Sequence, residues 1–172
     1  VLVEGVMGLF DAAADGRGST ADLAAALDLP VILVVDATSQ SHSVAALVHG
    51  FASFRNDVHV AGVILNRVST TRHERLLRDA LAPLGIPVLG ALPRRDSLHL
   101  PARHLGLVLP DEVATFSGTI DAAAEAIEAY LDLNQLLALS GPVRESDATA
   151  ALLPPLGQHI AIACDDAFAF IY

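Results

Sequence analysis

The 172-residue sequence contains no lysine; all 10 of its basic residues are arginines. That excludes a Walker A motif within it, because G-x-x-x-x-G-K-[ST] needs a lysine to reach the β- and γ-phosphates of a nucleotide. It contains one cysteine, Cys164, which excludes an internal disulfide and an all-cysteine metal cluster. Acidic residues number 20, giving a formal net charge of -10, and this argues against nucleic acid or an anionic membrane as the main partner. No apolar run approaches the roughly 18 residues of a membrane span. The opening residues lack the basic-apolar pattern of a secretory leader. The expectation is a cytoplasmic protein without nucleic-acid or membrane partners. The seven histidines fall in no H-x-x-x-H or H-E-x-x-H pattern, so no zinc site is expected.

Apolar residues make up 53% of the chain, too many for a disordered tail. The length suits one ordinary domain of roughly 100–200 residues. Short continuous apolar runs at 1–3, 31–35, 58–65 and 88–92 are rich in β-branched residues and bounded by Gly, Pro, Asn or Asp. Such runs read as strands covered on both faces, as in a parallel sheet. A further short strand is expected at 105–109. Helical periods fill the gaps. Ser19 is the expected N-cap of a helix reaching about Asp28, with Asp22 near its positive end. Further helices are expected over 43–54, 71–81, 119–130 and 133–139. In the third, Leu77, Ala80 and Leu81 face inward and Arg72, Arg75 and Arg78 outward. Strand and helix alternate, which means an α/β fold. The prolines and glycines of 141–157 break the rhythm and read as a linker, after which 159–163 starts a new strand. The chain opens and closes inside apolar runs, whereas termini are usually polar, so an internal piece of a longer protein is expected.

In an open parallel sheet, ligands bind at the carboxyl ends of the strands. The residues there are Glu4 to Asp11, then Asp36-Ala37-Thr38-Ser39, Asn66-Arg67 and Pro93-Arg94-Arg95-Asp96. An acid followed by glycines, as in Glu4, Gly5 and Gly8, can hold Mg²⁺ while the backbone approaches a phosphate. The same glycines can equally shape a turn beside a solvated Glu4. Asp11 reads either as a site acid or as a turn or helix-cap acid. Cys164 reads as a small buried hydrophobe rather than a nucleophile.

The blocks V-E-G-V-M-G-L-F-D, G-S-T-A-D-L-A, P-V-I-L-V-V-D-A, G-V-I-L-N-R-V, G-A-L-P-R and P-A-R-H-L-G-L-V occur in this order. Together they resemble the cobyrinic acid a,c-diamide synthase family. The tail I-A-I-A-C-D-D-A-F-A-F-I-Y resembles the start of that family's class I glutamine amidotransferase-like domain. The resemblance implies a P-loop NTPase-like fold, similar to dethiobiotin synthetase, with a mostly parallel sheet and helices on both faces. Its N-terminal P-loop unit, with the Walker lysine, would precede this stretch. The implied division is a partial ATP-dependent amidation domain at 1–140, a linker at 141–157 and the start of the amidotransferase-like domain at 158–172.

The resemblance also implies a reaction. ATP and Mg²⁺ activate the a and c carboxylates of a corrin polycarboxylate as acyl phosphates, and ammonia derived from glutamine then displaces phosphate. Glu4 matches the acid associated with Mg²⁺ and the ATP phosphates. Gly5 and Gly8 match the loop glycines near those phosphates, and Asp11 an acid near the reacting carboxylate. Asn66 matches the asparagine that reads the adenine edge, with Pro93 at the far wall of that pocket. His104 lies in the family's R-H-L-G-L block without an assignable role. Arg94, Arg95 and Arg103 are candidates for pairing with the substrate carboxylates, since local guanidinium groups must offset the acidic chain; the alternative is solvated or Asp96-paired surface arginines. This piece alone is expected to be inactive. Strands of the parent sheet left as edges offer a surface for self-association, so a homodimer is an expected arrangement. Two other readings stay open. One is a paralogue acting on another tetrapyrrole, such as hydrogenobyrinic acid or a nickel sirohydrochlorin. The other is a non-catalytic nucleotide-binding or regulatory module.

Overall fold

A computed structural model describes residues 2–5, 7–99, 113, 115–142, 154, 156–163 and 165. The first helix, α1 (Thr20–Leu27), begins where the sequence places it. The Ser19 hydroxyl accepts the Asp22 N–H at 3.0 Å, and the Asp22 carboxylate accepts the Ser19 N–H at 3.0 Å. This reciprocal pair satisfies donors that the helix itself leaves orphaned. Asp28 ends the helix in the left-handed region at φ 56°, and Pro30 forbids its continuation.

Three strands follow: β1 (Val31–Asp36), β2 (Val60–Val68) and β3 (Val88–Pro93). They form a parallel sheet in the order β1-β2-β3. Between them run α2 (Ser43–Ser53) and α3 (Thr71–Leu81). One sheet face is closed by these helices and α1. Leu33, Val35, Val63, Leu65 and Ala91 share one buried cluster with Ala21, Val44, Val48, Leu77 and Leu81. The other face is closed at β3 by α4 (Phe116–Tyr130), which leads into α5 (Leu133–Ala138). There Gly90 bridges Leu131, and the Asp132 N–H bonds the Leu89 carbonyl at 2.8 Å. Helices thus cover both faces of a parallel sheet, as the sequence implies. On β1, alternation puts Val34 on the α4 side, and it is 64% exposed.

The differences from expectation have nonlocal causes. Leu2 and Val3 form no strand, and Leu2 is 90% exposed; a strand needs a neighbour's ladder, and no described strand pairs with them. The stretch 159–163 is likewise unpaired and exposed among its described residues. β2 runs past Asn66 because Val68 pairs with Pro93 and its carbonyl accepts the Arg94 N–H at 3.1 Å. Arg78 is half-buried rather than outward: its guanidinium bonds Glu74 at 2.8 Å and donates to the Val88 carbonyl at 3.1 Å, tying α3 to β3. The strand expected at 105–109, together with Arg103, His104 and Cys164, lies outside the described residues, as does most of 141–157.

Asp22 also joins α1 to the end of α2. Arg55 donates to it at 2.5 Å and to Asp57 at 2.6 Å. The Arg55 hydrogen bond, then the Ser19 N–H and hydroxyl, hold the Asp22 carboxyl at about 2, below its ordinary 3.8. A folded-state value below the unfolded one adds stability above the unfolded value, which is lost as the pH falls through the folded value. Denaturant midpoints should therefore fall between pH 4 and pH 2. Asp22→Asn should be less stable than the parent at pH 7, flatten that stretch of the profile, and converge with the parent near pH 2. A separate test concerns the β3 edge. A Cβ at Gly90 would sit 2.5 Å from the Tyr130 carbonyl oxygen and 2.9 Å from the Leu131 Cα, backbone atoms that cannot rotate away. Gly90→Val should cost about 1–3 kcal/mol in urea unfolding.

Candidate functional site at the carboxyl ends of the strands

The carboxyl ends of the three strands surround a cleft of about 630 Å³. Thr38 and Ser39 enter it from the turn after β1, Arg67 and Ser69 from the end of β2, His73 from the first turn of α3, and Arg94 and Asp96 from the turn after β3. This is where a doubly wound sheet places a ligand, and the lining is polar, with the guanidinium groups of Arg67 and Arg94 and the carboxylate of Asp96.

Its walls are fixed by hydrogen bonds between strand ends. Asp36 and Asn66 are register partners, and the Ala37 N–H donates to the Asn66 carbonyl at 2.8 Å. The Asp36 carboxylate accepts the Thr38 N–H at 2.9 Å on one oxygen and the Arg67 guanidinium at 2.9 Å on the other. Hydrogen bonding from Thr38, helped by the Arg67 charge, holds the Asp36 carboxyl below the usual carboxylate range. Ser39 and Arg67 stand at φ 59° and 61°, a region that side-chain-bearing residues rarely adopt and that concentrates at functional sites. The Arg67 backbone N–H donates to the side-chain oxygen of the preceding residue, Asn66 Oδ1, at 2.9 Å.

His73 joins two of the walls. Its Nδ1 lies 3.2 Å from the Ser69 N–H nitrogen, and its Nε2 lies 2.8 Å from the Gln40 carbonyl oxygen. An amide N–H can only donate and a carbonyl can only accept. The imidazole therefore carries its proton on Nε2 and links the turn after β1 to the turn after β2.

The residues singled out in the sequence divide into two groups. Arg94 lines the cleft, and Asn66 and Pro93 flank it as neighbours of Arg67 and Arg94, both half-buried at strand ends. Arg95 is engaged elsewhere: its guanidinium lies 5.1 Å over the Tyr130 ring and donates to the phenol oxygen at 3.1 Å. Glu4, Gly5, Gly8 and Asp11 do not line the cleft. They belong to a stretch packed against the start of α1, where the Leu9 carbonyl accepts the Ala21 N–H at 2.9 Å. Asp11 and Gly8 exchange hydrogen bonds at 3.0 Å in each direction, so Asp11 closes a turn here. A Cβ on Gly5 would meet the Thr20 hydroxyl at 2.6 Å. Sequence reasoning pointed to every strand-end segment but missed Ser69 and His73. The available signal was their spacing of four residues about the Thr70 N-cap of α3.

Among the described residues no three His, Cys, Asp or Glu side chains converge as a metal cluster. Magnesium bound to a nucleotide needs less, namely one or two carboxylates with phosphate oxygens and water. Glu4 is exposed and has no side-chain partner among the described residues, so its carboxylate is available for such a role, but it does not line the cleft. No helix among the described residues is long and apolar enough to cross a membrane.

The chain is similar to curated proteins named hydrogenobyrinate a,c-diamide synthase. It is 58% identical to that of Brucella ovis over 174 residues, 54% identical to that of Rhizobium meliloti over 172, and 46% identical to that of Rhodobacter capsulatus over 176. Each alignment covers 100% of this chain and 40% of the relative, so the chain spans less than half the length of the relatives it matches. No solved structure matches it. Residues 1–102 match the family model described as an AAA domain, and with well over half of the sequence inside that match, the chain belongs to the AAA domain family.

Proposed function

We propose that this chain is the central part of an ATP- and Mg²⁺-dependent enzyme that amidates the a and c side-chain carboxylates of hydrogenobyrinic acid, or of its cobalt-bearing counterpart, in cobalamin biosynthesis. One observation carries this reading: relatives 46–58% identical across the whole chain bear the name hydrogenobyrinate a,c-diamide synthase. Those names favour hydrogenobyrinate over the cobyrinate that the sequence motifs first suggest.

The chemistry follows from the inertness of carboxylates toward amines. A carboxylate oxygen attacks the γ-phosphorus of ATP and ADP leaves. Ammonia, released from glutamine by an amidotransferase-like domain of which 158–172 is the start, then attacks the acyl carbon. Inorganic phosphate leaves and the amide remains. Little covalent work falls to the protein, so positioning and charge neutralisation dominate.

In this reading Asn66 and Pro93 receive the adenine at the carboxyl end of the sheet. An amide that donates and accepts at once suits the adenine edge. Glu4 would hold Mg²⁺, which supplies neutralising charge at the phosphates, with Gly5 and Gly8 letting the backbone approach them. Asp11, which closes a turn with Gly8, is proposed to act near the reacting carboxylate. Most of the phosphate charge must be met by groups outside this lysine-free sequence. Arg94 is the cleft guanidinium without an ion-pair partner among the described residues. That leaves it open to a substrate carboxylate, whereas Arg95 is engaged by Tyr130. Arg103 is proposed to share Arg94's role.

Two measurements test this. In calorimetry with ATP and Mg²⁺, a chain extended upstream to a Walker lysine should bind, this chain alone should bind weakly or not at all, and Glu4→Gln should weaken the extended chain at least tenfold. Absence of binding by both lengths would favour a non-catalytic module instead. In the full-length enzyme, Arg94→Ala should raise KM for the corrin about tenfold, the scale of a lost charge-assisted pair, with KM for ATP little changed. Arg95→Ala should move the corrin KM less. A rise confined to ATP would reassign Arg94 to the nucleotide.

A further inference from the structure

We infer that His73 is a positioning residue for the nucleotide: its Nε2–H fixes the exit of the turn after β1 and so places Thr38 and Ser39 on the wall of the cleft. The inference rests on the proposed reading of this cleft as the nucleotide site. Thr38, Ser39, Ser69 and His73 all line it. His73 reaches from one wall to another, with Nε2 2.8 Å from the carbonyl oxygen of Gln40, 33 positions away.

The turn spans 37–40 and is closed by the Gln40 N–H on the Ala37 carbonyl at 3.0 Å. Its third residue, Ser39, stands at φ 59°, while Thr38 before it keeps a negative φ. A closed turn of this kind is type II, in which glycine is the ordinary third residue. A serine there holds a backbone that side chains disfavour, so the turn depends on what grips its two ends. The entry is gripped by β2, where the Ala37 N–H donates to the Asn66 carbonyl at 2.8 Å. The exit is gripped by α3, through His73 on the Gln40 carbonyl.

The imidazole is itself immobilised. The His73 backbone N–H donates to the hydroxyl of Thr70, the N-cap of α3, at 3.1 Å. Nδ1 lies 3.2 Å from the Ser69 backbone nitrogen and 3.0 Å from the Ser69 hydroxyl oxygen. The two ring nitrogens therefore do different work. Nδ1 is an acceptor that ties the ring to the start of its own helix. Nε2–H is a donor that crosses to the other wall. Losing the donor frees the exit of the turn, so that Thr38 and Ser39 leave their place on the wall, while Asn66 stays in the β2 ladder.

The test uses the full-length enzyme and reads KM for ATP, KM for the corrin and Tm. Counted in bonds from Cα, the amide atoms of asparagine stand at the position of Nδ1, and those of glutamine at the position of Nε2. His73→Asn thus keeps an acceptor for Ser69 and loses the crossing donor. It should raise KM for ATP about three- to tenfold, the scale of one hydrogen bond, with kcat and the corrin KM within about twofold of the parent. His73→Gln keeps the crossing donor and loses the acceptor, and it should recover most of that rise. The reverse order would overturn the inference, because the bond to Ser69 would then be the one that matters. Equal loss in both variants would overturn it too, by making the ring itself the contact. So would a fall in Tm with KM for ATP unchanged, which is a role in stability alone, or a corrin KM that rises in step with that for ATP. Asn66→Ala separates the two levels. If it raises KM for ATP while His73→Asn does not, the role of His73 fails and the nucleotide reading stands. If it leaves KM for ATP unchanged, the nucleotide reading of the cleft fails and takes the inference with it.

Discussion

The fold depends on the two-sided burial of β2. Its residues from Val60 to Leu65 are all buried, with β1 hydrogen-bonded on one edge and β3 on the other. A strand in that position has no solvated face, so every residue before Asn66 is apolar or glycine. Gly62 shows how tight the fit is: a Cβ there would lie 2.7 Å from Leu89 Cδ1. Both crossover helices, α2 and α3, pack on the same side because the strand order advances in one direction. The chain then passes to the opposite face through α4. The cleft is a consequence of this geometry, since three parallel strands leave all their outgoing turns at one end.

What could be read from the sequence was what local chemistry decides. The Ser19–Asp22 capping pair located α1, the continuous Val-Ile-Leu runs located the three strands, and Pro83 with Gly85 marked the end of α3. What could not be read depends on a distant partner. The apolar character of Leu2-Val3 suggests a strand, but a strand exists only where another backbone completes its ladder. β2 extends to Val68 because Pro93 and Arg94, some 25 positions later in the chain, supply that ladder. The same limit governed the site. Strand ends were identifiable as its location, and Arg94 as a member. The left-handed turn at Arg67 leaves no mark in spacing, and although Ser69 and His73 stand four residues apart about the Thr70 N-cap, the Gln40 carbonyl that the imidazole reaches lies 33 positions away.

Electrostatics give the cleft its character against the background of the chain. A net charge of -10 repels polyanions at long range, so attraction must come from local placement of a few guanidinium groups. Three arginines are committed elsewhere: Arg55 to Asp22 and Asp57, Arg78 to Glu74 and β3, Arg95 to Tyr130. Arg67 and Arg94 remain at the carboxyl end of the sheet. Arg67 is compensated by Asp36, so its charge shapes the wall more than it attracts a ligand. Arg94 has no ion-pair partner among the described residues, and the Asp96 carboxylate lines the same cleft. Exposed pairs of this kind contribute little to stability on their own; the Asp36–Arg67 pair links the ends of β1 and β2.

On the proposed reading, a lysine-free stretch contributes to a nucleotide site through direction rather than charge. Nucleotide recognition separates into a phosphate end, which needs strong positive charge, and a base end, which needs fixed hydrogen-bond direction. Fixed direction costs conformational freedom, and a sheet supplies it: the Asn66 backbone is locked by Ala37 on β1's outgoing turn, and its side chain by the N–H of Arg67. Strong charge needs flexible cationic side chains, which this stretch largely lacks. The Asp36–Arg67 pair and the His73 imidazole between Gln40 and Ser69 hold the walls of the cleft together. A nucleotide base bound at these walls, as proposed above, would meet fixed hydrogen-bond directions, and the absence of lysine from this stretch does not count against that proposal.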